Sequence, residues 1–152
     1  MDTTKRKGGR TSMIFIYYSD EDLQPLFNPG DVGIDLRSAE NFVLEPGEIR
    51  VVPTGVSWDV SLSSIYATIV GRSGLNSKGL IVLTGVIDPD YTGEWKVVLF
   101  NATKYPQLIA RGDRIAQALI HSVPSEDISL YQGQSKRVTL RGTNGFGSTG
   151  IN

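Results

Sequence analysis

A chain of 152 residues with 39% apolar and 20% charged side chains has the composition of one soluble globular domain with room for a real core. The absence of cysteine removes disulfides, thiol nucleophiles, iron–sulfur clusters and cysteine-ligated zinc, and the lone His121 cannot build a multi-histidine metal site. Fifteen Lys and Arg against sixteen Asp and Glu give a net charge of −1, which argues against a dedicated nucleic-acid binder.

Residues 1–12 carry Lys5, Arg6, Lys7 and Arg10 and no apolar group beyond the first methionine, so they read as a solvated basic tail. This tail is the only stretch whose charge suits a polyanion or an import receptor. No apolar run follows it like a signal peptide's, and none approaches the roughly 18 residues of a membrane span. The expected location is therefore the cytoplasm, with the nucleus open to a eukaryotic or viral protein. From Met13 the pattern turns β-like. Residues 13–18 form a strand run and residues 22–33 are rich in turn formers. Residues 41–60 read as two strands around Glu45-Pro46-Gly47, with a further turn at Pro53-Thr54-Gly55. Residues 64–71, 80–88 and 95–103 continue the β-branched and aromatic runs. Residues 114–123, RIAQALIHSV, suit a helix or a strand about equally, and the only other helix suggested is a short one around Gly74–Lys78. Many short strands with frequent Gly and Pro predict a single all-β domain over 13–140, a barrel or sandwich, followed by a glycine-rich arm at 141–152.

Five segments could carry chemistry. In the arm, Gly145, Gly147 and Gly150 match the letters of a dinucleotide fingerprint, but no helix can open after them and that mechanism fails. Arg141, Phe146, Ser148 and Thr149 on such a flexible segment suit closure over a nucleotide, with Phe146 on the base and Arg141 on phosphate. Arg72-Ser73-Gly74 follows a strand and can open a helical turn, a natural anion site. Apolar runs on both sides of residues 89–93 suggest a β-hairpin. Asp88 stands at the end of its first strand, where a fixed carboxylate is the best-suited general base in a chain with one histidine. Asp90 sits in the turn, where aspartate is usually a turn former. Asp35 lies between Ile34 and Leu36, as a carboxylate held beside a core would. Asp113 reads as a loop residue, and Gln117 could orient water or phosphate.

In this order, the five segments resemble those of the trimeric dUTPase (dUTP diphosphatase) family, over roughly residues 30–150. GRSGL, GVIDPDYTGE, GDRIAQ and GFGSTG carry the likeness. The resemblance implies a distorted jelly-roll-like β-domain and a homotrimer with active sites shared between subunits. It also implies hydrolysis of dUTP to dUMP and pyrophosphate with Mg²⁺ on the triphosphate, a reaction that limits uracil in DNA and supplies dUMP for dTMP synthesis. Asp88 would position the attacking water, and Tyr91 would lie under the deoxyribose and exclude a 2′-hydroxyl. Backbone groups of Gly85, Val86 and Ile87, and near Lys96, would read the uracil edge. Arg72, Ser73, Gly74 and Gln117 would hold phosphates, and Asp35 would reach the metal through water. From the arm, Phe146 would stack on uracil while Arg141, Gly147, Ser148 and Thr149 close on the phosphates. The chain departs from the family pattern at Val32, Ile34 and Asn144, where alanine, tyrosine and glycine are common.

Two other readings share much of this pattern. A non-zinc dCTP deaminase would have the fold and phosphate motifs but lack the Asp88–Tyr91 pairing. A dUTP-binding regulatory protein would keep the fold and be catalytically weak.

Overall fold

In the computed structural model, which describes residues 13–61, 64–83, 85–123, 128–135 and 137–141, the apolar runs become ten strands. They are β1 (Ile14–Tyr18), β2 (Gly33–Arg37), β3 (Phe42–Leu44), β4 (Ile49–Val60), β5 (Ile65–Val70), β6 (Leu80–Leu83), β7 (Gly85–Ile87), β8 (Trp95–Asn101), β9 (Gln107–Ile109) and β10 (Arg114–Ser122). A 3-10 turn at Glu21–Leu23 follows β1, and one helical turn, α1 (Ser73–Asn76), follows β5. All described pairings are antiparallel. One sheet has the order β1-β4-β8-β6 and a second β2-β10-β5-β7, with β3 and β9 forming a separate ribbon.

Each long strand buries alternate residues, as a pleat with one face on a core requires. Trp95, Val97, Leu99 and Asn101 of β8 point inward, as do Val52, Val56 and Trp58 of β4. Leu36, Ala67, Ile69, Ala116 and Ala118 come from the second sheet, so one hydrophobic cluster joins the two layers in the jelly-roll-like manner expected. Trp58 and Trp95 meet edge to face at its centre, with centroids 5.3 Å apart. Buried Asn101 is satisfied by donating to the Leu44 and Tyr105 carbonyls. Outside the core, Arg111 donates to Asp20, Asp22 and the Ala39 carbonyl, tying the 3-10 turn to the approach to β10. Its hydrogen bond holds the Asp22 carboxyl below its ordinary value, and Asp22 and Asp20 raise Arg111 in return. Among the described residues, no helix is long and apolar enough to cross a membrane.

The structure settles one open choice and overturns two expectations. Residues 114–122 are a strand, because β2 and β5 pair with it on its two sides. Pro53-Thr54-Gly55 is no turn but a bulge inside β4, where β8 advances only from Lys96 to Trp95 opposite Pro53 and Val56. Thr54 Oγ1 donates to the Trp95 carbonyl at 2.6 Å, and Gly55 takes φ +69°, so local turn chemistry is absorbed by pairing on both sides. Residues 85–101 are not a hairpin of paired strands. β7 pairs with β5 and β8 with β4 and β6, so residues 88–94 carry the chain from one sheet to the other.

Candidate active site

The sequence-expected site residues from Asp35 to Gln117 gather in two cavities. The larger is an open cleft of about 740 Å³ over the ends of β2, β5 and β10, and it takes in Asp35, Arg72, Ser73, Gly74 and Gln117. Asp35 faces outward between buried Ile34 and Leu36, and its main chain is held by reciprocal hydrogen bonds with Leu26. Its carboxylate takes Arg72 Nε on one oxygen at 3.1 Å and Arg114 Nη1 on the other at 3.2 Å. Arg72 is the N-cap of α1, whose first N–H groups have no acceptor within the helix, as at any helix start. Gln117 sits opposite Asp35 and Val70 and donates from Nε2 to the Gly71 carbonyl at 3.0 Å. Its Oε1 occupies the place a Cβ on Gly33 would need, so only glycine at 33 leaves Gln117 where it is. Lys78 adds a further cation to the rim. The cleft thus presents cations and amides anchored on one enclosed carboxylate, a surface suited to a polyanion.

The smaller cavity, about 250 Å³, is lined by Ile69, Gly85, Val86, Ile87, Asp88, Tyr91, Glu94 and Lys96. β7 ends its sheet, so its outer edge presents N–H and C=O groups that no strand among the described residues takes up. Asp88 follows directly and is exposed, and its carbonyl accepts the Tyr91 N–H at 3.1 Å to close a turn. The Tyr91 hydroxyl donates to the Glu94 carbonyl, and the ring lies where a side chain on Gly93 would collide with it. Trp58, buried in β4, donates from Nε1 to the Tyr91 carbonyl at 3.0 Å and fixes this loop to the core.

A family model for dUTPase matches residues 21–150. The chain belongs to the dUTPase family. It is 42% identical over 123 residues to the deoxyuridine 5′-triphosphate nucleotidohydrolase of Paramecium bursaria Chlorella virus 1, covering 80% of this chain and 85% of that protein. It is 40% identical over 141 residues to the Neisseria meningitidis enzyme of the same name, covering 86% and 89%. Among solved structures it is similar to a dUTPase of Staphylococcus bacteriophage 80alpha solved with dUpNHpp, at TM-score 0.75 and 26% identity over 93% of this chain and all of the other. The EIAV dUTPase shares the fold at TM-score 0.69 and 23% identity, over 83% of this chain and all of its own.

The dUTPase segments near residues 72 and 117 thus meet Asp35 in the cleft, while those from 85 to 96 form the pocket. Arg141 is exposed at the end of the described chain and lines neither cavity. Phe146, Gly147, Ser148 and Thr149 lie outside the described residues, as does the basic tail at 1–12. Sequence reasoning missed Arg114, Gly33, Gly93 and Trp58. Gly93 stood in a recognisable turn, but the partners of Arg114 and Trp58 lie 79 and 33 residues away, beyond any local pattern.

Proposed function

We propose that this dUTPase hydrolyses dUTP to dUMP and pyrophosphate by attack of an Asp88-activated water on the α-phosphorus. The observation that carries the reading is the convergence, in one small pocket, of the unpaired edge of β7, the Asp88 carboxylate and the Tyr91 ring. The β7 edge supplies backbone donors and acceptors matched to a uracil edge, and a site built on such pairing rejects a mispaired base strongly. The pocket's small volume leaves little room for a 5-methyl group, and Tyr91, held by Trp58 and Glu94, lies under the deoxyribose. Asp88 takes the water's proton as the oxygen attacks, and the Pα–O bond to the β-phosphate breaks to release pyrophosphate. Arg72, Gln117 and the N–H groups of Ser73 and Gly74 take the phosphates. Phe146, Gly147, Ser148 and Thr149, with Arg141, would close over the bound nucleotide.

Mg²⁺ fits this site as a cation that arrives with the triphosphate. Among the described residues no three His, Cys, Asp or Glu form a cage, and both Asp35 oxygens already hold arginines, which suits contact through water. Bound there, Mg²⁺ would supply charge neutralisation to the leaving pyrophosphate.

A shared site is part of the proposal. The residues expected around one nucleotide divide between two cavities of one chain, and Ile128, Leu130, Tyr131, Val138 and Leu140 are exposed on it. Both features favour a homotrimer in which one subunit's pocket meets another's cleft. Pyrophosphate release from dUTP, dCTP, dTTP and UTP, with Mg²⁺ and with chelator, tests the reaction. Mg²⁺-dependent release from dUTP alone is expected. A thermal shift with dUTP but no release would make the protein a regulatory binder, and ammonia from dCTP would make it a deaminase.

A further inference from the structure

We propose that Arg114 is a positioning residue for dUTP hydrolysis, aimed by a one-residue bulge in β10 so that its guanidinium clamps Asp35 and, through Asp35, fixes Arg72 toward the phosphates. The inference rests on the functional reading above and extends it to a residue outside the expected set.

Along β10, Gln117 is opposite Asp35 and Ala116 opposite Leu36, but the next pair in the ladder is Arg114 with Arg37, leaving Ile115 without a counterpart. Side chains of a regular strand alternate between faces, so outward Gln117 and inward Ala116 would put Ile115 outward and Arg114 in the core. Instead Ile115 and Ala116 are both fully buried, and Arg114 emerges on the face that carries Asp35 and Gln117. The extra residue thus sends an isoleucine to the core and an arginine to the cleft, the re-aiming that bulges beside functional sites perform.

The re-aimed residue closes a ring. Arg114 Nη1 donates to Asp35 Oδ2, Arg72 Nε donates to Asp35 Oδ1, and Arg72 Nη1 donates to the Arg114 carbonyl at 3.2 Å. Side-chain exposure rises from 16% at Asp35 through 27% at Arg72 to 43% at Arg114, so the carboxylate is the enclosed hub. A carboxylate holding one guanidinium can pivot about it, whereas one holding a guanidinium on each oxygen has its plane fixed. Two of Arg72's five N–H groups are spent on this ring, and three remain for a ligand in the cleft. The orientation of those three is set before substrate arrives, which is where a positioning residue contributes.

Steady-state kinetics on dUTP, dUpNHpp titration calorimetry and thermal melts of wild type, R114Q, R114K, D35N and D35N/R114Q test this. R114Q is expected to lower kcat/KM on the order of 10- to 100-fold, mostly through KM, and to weaken dUpNHpp by a similar factor. R114K, which keeps the charge but not the fork, should recover part of the loss. The double variant should be no worse than D35N alone, because Arg114 acts through Asp35. Wild-type kinetics in R114Q would overturn the proposal, as would losses that multiply in the double variant and so mark an independent contact with ligand. If R114Q does not fold, kinetics of R114K at wild-type level in both kcat and KM would overturn it. A wild-type protein inactive on dUTP would sink the functional reading instead, and the same comparison of dUpNHpp affinities would still decide the ring.

Discussion

The cleft and the pocket are built from different materials. The pocket draws its lining from Gly85 to Lys96 with only Ile69 added, and it offers main-chain edge, one ring and two carboxylates. The cleft is assembled from three stretches between Asn28 and Leu119, and its two arginines are cross-linked by ion pairs to Asp35. A base is discriminated by the spacing of donors and acceptors, which a short rigid segment sets by itself. A flexible polyanion needs charges converging from several directions, which only tertiary structure supplies.

The largest effect that would sharpen this contrast is expected at Asp88. D88N should lower kcat by about 10²- to 10⁴-fold, the range for a lost general base, while dUpNHpp titration shows affinity near wild type. R72A should instead raise KM and weaken dUpNHpp by roughly 10- to 100-fold, the worth of charge-assisted hydrogen bonds. If both variants lost affinity alike, the division between chemistry and anion binding would collapse. Mixing the two variants, assayed at dUTP far below the KM of R72A, gives a further check. Random reassembly of a trimer with shared sites should restore about a quarter of the wild-type sites, whereas a site held within one chain would regain nothing. Smaller still, W58F removes the donor to the Tyr91 carbonyl and should lower stability by about 1–3 kcal/mol in denaturant melts. The loosened Tyr91 loop should also show as a rise in KM for dUTP. The smallest effect lies outside both cavities. The Asp22 carboxyl is depressed by Arg111, so its contribution is present above its unfolded value and is lost as pH falls through its folded one. D22N should therefore flatten the acid limb of a Tm-against-pH profile slightly and leave neutral kinetics unchanged.

The pocket was the legible half. Gly85 to Lys96 could be placed from sequence because apolar runs flank Pro89-Asp90-Tyr91-Thr92-Gly93 and the functional groups are neighbours in the chain. Even there the strand partners were misread, since whether β7 pairs with β8 or β5 depends on which sheet needs an edge. Pro53-Thr54-Gly55 misled for a similar reason: its turn chemistry is real, but β8 continues past it. In the cleft, Asp35, Arg72 and Gln117 were visible as single residues and Arg114 was not. Its role depends on a register slip that alternating hydrophobicity records only as the adjacent pair Ile115 and Ala116. The two bulges differ in this respect. Thr54 and Gly55 add an even number and preserve the faces of β4, while Ile115 adds an odd one and exchanges them in β10.

Gly33 has a consequence for anyone who maps this protein by saturation mutagenesis. It carries no functional group and takes no strained conformation, yet any side chain there must displace the Gln117 carboxamide. The atom in the way is the free end of a flexible side chain, so such a screen should return folded proteins in which the Gln117 carboxamide points elsewhere.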